Sequence, residues 1–139
     1  MKSINWAGVI VAVILAEVIG VLWYGMAFGD KWMALSGVTG DSGGSTTAMA
    51  LGAVNELVVA IGLSWLVGKT GATNLMGGVT TGLLAAIFFA CTTDAMAYIY
   101  AGANTGLIPI NFGYLLVSYA VMGAAVAVVR LPARSGAAA

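Results

Sequence analysis

Histidine is absent from this sequence, cysteine occurs once (Cys91), proline twice, and only ten of 139 side chains carry charge, five of each sign. Each shortage closes off a class of protein. Without histidine, and with a single thiol, there is no set of Cys and His for structural zinc and no intramolecular disulfide. A net charge of +0 leaves no basic surface to neutralise a run of phosphates, so nucleic acid is not an expected partner. No serine nucleophile elbow, Walker loop or metal-ligand cluster occurs, and GVTGDSGG lacks the lysine and the strand-to-helix setting of a phosphate loop. The expectation is a protein that is not an enzyme and needs no cofactor or metal.

What the chain has in abundance is apolar surface. Hydrophobic residues make up 61% of it and its mean hydropathy is +1.03. A water-soluble domain of this size would be covered by one apolar patch, so the lipid bilayer is its expected surroundings. Apolar segments run from about Ile4 to Phe28, Thr47 to Gly68, Leu75 to Ala101 and Ile108 to Arg130. Each approaches the ~20 residues that cross a ~30 Å hydrocarbon core. The expected fold is all-α and polytopic: four transmembrane helices in a single domain over residues 1–139. The apolar run at the N-terminus continues to Tyr24 without a small-x-small cleavage site and reads as a retained first helix. Between segments one and two, Gly29 to Thr46 reads as a flexible loop, while GKTGATN forms a tight turn between segments two and three. Pro109 stands at a helix start, where its missing N–H costs least.

Cationic loops stay on the cytoplasmic side during insertion. Lys2, Lys69, Arg130 and Arg134 fall on one side, and Lys31, with Asp30 and Asp41, on the other. Both termini are therefore expected in the cytoplasm, the protein being multi-pass in the inner (cytoplasmic) membrane. Trp23, Tyr24 and Trp32 then mark the outer interface as aromatic anchors. Small residues recur at spacings of four: Gly8, Ala12, Ala16 and Gly20 in the first segment, and Gly78, Gly82, Ala86 and Ala90 in the third. Segments two and four carry further small residues, Gly52, Ala60, Ser64, Gly68 and Ala120, Gly123, Ala124, Ala127. Such faces let helices approach closely in lipid, within one chain or between copies, and a homo-oligomer is expected.

Three carboxylates interrupt the spans: Glu17, Glu56 and Asp94. At 1.5 Å rise per residue, Glu17 and Glu56 lie ~20 Å and ~18 Å from the cytoplasmic ends of their helices, and Tyr119 ~17 Å from the end of its own. These three share a depth just past the midplane, whereas Asp94 lies ~29 Å from Leu75, near the outer boundary. A central ionised Asp costs roughly 2.5–3.5 kcal/mol on insertion scales, and no Lys or Arg lies within a span to offset that. A proton, a bound cation or cationic solute, a watery cavity, or hydroxyl and amide donors must answer the charge. Two carboxylates facing one another would make a shared proton natural. Glu17, Glu56, Tyr119 and Asp94 are accordingly the candidate site for a proton, a cation or a small cationic or neutral solute. One expected function is a proton- or cation-coupled transporter or channel. The other is an accessory membrane subunit in which the same groups are neutral hydrogen-bonding glue, and two carboxyls buried in dry helix contacts would favour it.

Two stretches, WYGMAFGDKW (Trp23 to Trp32) and NFGYLLVSYAVMG (Asn111 to Gly123), resemble the small membrane-protein family catalogued as domain of unknown function 1761. Asn5-Trp6, Gly20 before Trp23-Tyr24, Phe28-Gly29 followed by Lys31-Trp32-Met33, and Gly113-Tyr114-Leu115 with Met122-Gly123 carry the likeness. The resemblance implies four transmembrane helices and supplies no activity. Met26 stands where the family commonly has proline, and Glu17 where an apolar residue is usual. ILAEVIG (Ile14 to Gly20) is also similar to the first helix of small multidrug resistance transporters, in which a membrane-embedded glutamate binds protons and cationic drugs in turn.

Overall fold

The computed structural model describes residues 4–38 and 45–129, which hold helices and no strand. Four helical segments are long and apolar enough to cross a membrane: Trp6–Ala27, Thr46–Thr70, Leu75–Tyr100 and Thr105–Val128. The protein is a multi-pass, all-α membrane protein. Of the four cations on which its orientation was read, Lys2, Arg130 and Arg134 lie outside the described residues, as does Asp41.

Helix α1 (Trp6–Gly20) continues through a wider, π-helical stretch, Val21–Ala27, to a break at Phe28. The sequence reads Gly29 to Thr46 as loop; in the structure Gly29–Ser36 is a short helix, α2. Eight residues are too few for a helix to stand alone in water. Tertiary contact supports this one. Trp32 meets the Tyr24 ring edge-on with centroids 5.6 Å apart, and Leu35 covers Gly106. Asp30 in its first turn suits the helix dipole, and Gly37 ends it in a left-handed conformation, φ 69°.

Helix α3 (Thr46–Thr70) is capped by Ser45 and closed by Gly71 at φ 70°. Asn74 caps α4 (Leu75–Ala85), which passes through a second π-helical stretch, Ala86–Cys91, into α5 (Thr92–Tyr100). A 3₁₀ turn, Thr105–Leu107, leads into α6 (Ile108–Val128), with Pro109 in its first turn.

The small faces decide how these helices pack. A Cβ added at Gly78 would stand 2.5 Å from the Gly123 carbonyl oxygen and 2.9 Å from Cα of Ala124. One added at Gly82 would stand 2.7 Å from the Tyr119 carbonyl carbon. Helices α4 and α6 therefore touch backbone to backbone, an approach that only glycine permits. Gly8, Ala12 and Ala16 are likewise buried, the first against Cα of Val126, so α1 lies on the other side of α6. Met122 and Val9 fill the centre of this layer. Helix α3 leans on it through Ala60, Leu63, Ser64 and Val67, and its first half stands largely free.

Asn5 ties one end of the bundle together. Its Oδ1 accepts from Gly8 N at 3.3 Å, its Nδ2 donates to the carbonyls of Val126 (2.9 Å) and Val129 (2.6 Å), and its backbone N donates to Ser64 Oγ at 2.9 Å. One side chain thus caps the start of α1 and the end of α6, whose last carbonyls have no partner within the helix.

Candidate functional site

At the opposite end, the π-helical stretch after α1 carries Trp23 and Tyr24 against α6. Trp23 Nε1 donates to the Ile110 carbonyl at 3.0 Å, and the indole lies on Gly113, where a methyl group would stand 2.8 Å from the ring. The Phe28 ring stands 4.9 Å from it, centroid to centroid. Tyr24 OH donates to Asn111 Oδ1 at 3.2 Å, and Asn111 Nδ2 donates to Tyr98 OH at 2.9 Å, linking the ends of α1, α6 and α5. Trp23, Tyr24 and Trp32, the aromatic residues expected as anchors, are half-buried and sit among these contacts.

Tyr24 also stacks obliquely on Tyr114, centroids 5.0 Å apart, and Tyr114 OH donates to Glu56 Oε1 of α3 at 2.7 Å. That is the short distance of a hydroxyl bonded to a carboxylate oxygen. Gly20 leaves room beside it: a Cβ there would lie 3.6 Å from the Tyr114 hydroxyl. Glu17 is half-buried on α1, close enough to Glu56 to act on it electrostatically, and makes no side-chain hydrogen bond among the described residues. Asp94 is within electrostatic reach of Tyr24 and of Tyr98, one turn along α5.

Glu56 therefore joins one aromatic and amide cluster by a hydrogen bond, and Glu17 and Asp94 stand within electrostatic reach of it. Tyr119 stands elsewhere. It makes no side-chain hydrogen bond among the described residues, and its backbone carbonyl lies against Gly82 of α4. Five residues at 3.6 per turn place Tyr119 about 140° around α6 from Tyr114, which turns Tyr114 and not Tyr119 toward Glu56. Depth alone could not separate the two.

Two atoms in the cluster have no partner. Glu56 Oε2 and Asp94 Oδ2 are buried and unbonded among the described residues. In hydrocarbon an unsatisfied polar atom costs several kcal/mol, on the order of a lost hydrogen bond in an apolar solvent. A proton on Oε2 would cancel the charge of Glu56 but create a buried O–H donor with no acceptor. A cation, or a cationic group that donates a hydrogen bond, answers both needs at once. The hydroxyls do not form a continuous proton wire, because the Asn111 amide separates Tyr24 from Tyr98 and cannot pass a proton without tautomerising. Among the described residues no three His, Cys, Asp or Glu side chains converge as metal ligands.

A family model described as "Protein of unknown function (DUF1761)" matches residues 7–127. The chain belongs to that family. The stretches that carried the resemblance, Trp23 to Trp32 and Asn111 to Gly123, supply Trp23, Tyr24, Asn111 and Tyr114 to the cluster, while Glu56 and Tyr98 come from outside them. Searches of curated proteins and of solved structures return no match. The likeness of Ile14–Gly20 to small multidrug resistance transporters gains nothing from these comparisons.

Asn111, Tyr98 and Tyr114 escape a search for charged groups. A signal for two of them was present: Asn111, Tyr114 and Ser118 recur at i, i+3 and i+7, one polar face of an apolar helix.

Proposed function

We propose that this protein binds a small cation or cationic solute at Glu56, in exchange with protons, and carries it across the membrane. The orphaned Oε2 of Glu56 is the observation that supports this reading, since its other oxygen is already held by Tyr114. In the proposed cycle Glu56 is the acceptor and Tyr114 holds its carboxyl in place. Glu17, half-exposed on the adjoining helix, is the group that exchanges protons with the aqueous side, and Asp94 attracts cations at the mouth of the cluster. The protein acts as a carrier and not as an enzyme, in the cytoplasmic membrane with both termini inside.

The competing reading, an accessory subunit with neutral carboxyls as glue, is favoured by the Tyr114–Glu56 bond between helices. It leaves Oε2 unanswered. The two readings separate in proteoliposomes under an imposed pH gradient, using tetraalkylammonium and alkali cations as probes. Transport predicts cation-dependent dissipation of the gradient by the parent chain, abolished by Glu56→Gln and reduced by Tyr114→Phe, with helicity unchanged. Background traces from the folded parent with every probe would overturn it.

A further inference from the structure

Asn55 lies next to Glu56 in sequence but about 100° around α3, and it faces away from the bundle. It is exposed and makes no side-chain hydrogen bond among the described residues. It lies nine residues into a 25-residue helix, ~13 Å from Thr46 along the axis, so its amide stands well inside the hydrocarbon layer. Lipid tails offer neither a donor nor an acceptor, and a bare amide at that depth is unfavourable. On the same face, methyl groups added at Gly52 and Gly62 would meet open space. Leu51, Asn55, Val58, Gly62 and Trp65, all exposed, follow the alternating four-and-three spacing with which two parallel helices mesh.

We propose that this face of α3 is the seam of a homodimer, with Asn55 hydrogen-bonded to Asn55 of a second copy. The occupant follows from symmetry. Two copies inserted in the same sense and related by a twofold axis along the membrane normal run their α3 helices parallel, so each residue meets its equivalent at equal depth. A carboxamide has both donor and acceptor and complements itself. A different protein would need a matching polar group at the same depth, which a second copy supplies automatically. The glycines on either side let the backbones come close enough for the amides to meet. Glu56, about 100° away and held by Tyr114, stays turned into its own bundle, so the seam stands whether or not Glu56 carries a cation.

The test uses the full chain in liposomes, with association measured by single-molecule photobleaching over a dilution series. The parent should be dimeric. Asn55→Leu, which suits lipid and fills no packed site, should lower the association constant on the order of tenfold while helicity is retained, and Asn55→Gln should lower it less. In a Cys91→Ser background, Gly62→Cys should form an intermolecular disulfide under mild oxidation, and Ile10→Cys, exposed on α1, should not. A parent that stays monomeric, an Asn55→Leu variant that associates as well as the parent, or cross-linking at Ile10 but not at Gly62 would each overturn the seam.

Discussion

Replacing Gly82 with alanine puts a single methyl group between α4 and α6, and its effect can be worked out from the contact. The new Cβ would stand 2.7 Å from the Tyr119 carbonyl carbon and 3.2 Å from Cα of Ala120. Carbon atoms prefer about 3.5–4.0 Å, so the helices would have to separate by roughly 1 Å. A gap of that size removes a quarter to a half of the attraction of each atom pair it opens, and the Gly78–Gly123 contact lies in the same seam. Overpacking of this kind costs ~1–3 kcal/mol where side chains can shift, and here the obstacle is backbone, which argues for the upper end. Against this, alanine is favoured over glycine in a helix by roughly 1 kcal/mol. The net expectation is a loss of about 2 kcal/mol, a large share of the stability of a small domain. Reversible unfolding in mixed detergent micelles, followed by circular dichroism, measures it. Gly25→Ala is the control, because a methyl there meets only a Val21 side-chain carbon at 4.0 Å, and it should be neutral or stabilising. If Gly82→Ala is as stable as the parent, the backbone contact between α4 and α6 is not what holds them together.

Asn5→Ala removes one cap from α1 and two bonds to the end of α6, and should cost ~2 kcal/mol in the same unfolding assay, with faster amide exchange in the last turn of α6. Gly113→Ala places a methyl group 2.8 Å from the Trp23 ring, and should push the indole off its carbonyl partner, shifting tryptophan fluorescence. An unchanged spectrum would show that Trp23 does not depend on that contact. Trp23→Phe loses both the Nε1 hydrogen bond and part of the ring that lies on Gly113, so its unfolding free energy should fall by about 2 kcal/mol, and an unchanged value would show that neither contact supports the fold.

Burial arguments reached the four spans without help from tertiary structure, because crossing hydrocarbon requires ~20 consecutive apolar residues and leaves a run that any hydropathy scale detects. The small faces of α1 and α4 were legible for a similar reason, since only small residues at spacings of four allow backbones to touch in lipid. Gly52 was read the same way, yet a methyl group added there would meet open space among the described residues. Spacing marks a face that can approach another helix and says nothing about which helix. Short α2 was not legible, as its stability comes from the Trp32–Tyr24 and Leu35–Gly106 contacts and not from its own eight residues.

The sequence by itself determined that Glu17, Glu56 and Asp94 stand inside the membrane and that their charge needs an answer, because residue count along a helix converts directly into depth. Which donor would supply the answer was settled by rotation, and rotation is a tertiary quantity. A helix of fixed length can be turned about its axis without changing the depth of any residue. Only its packing against α1 and α4 fixes the angle at which α6 presents Tyr114, and not Tyr119, to Glu56. The Trp-Tyr pair likewise read as an interfacial belt until the π-helical turns and the Gly113 contact aimed it at α6. Depth is written in one dimension along the chain, and the facing of side chains is decided where separate helices meet.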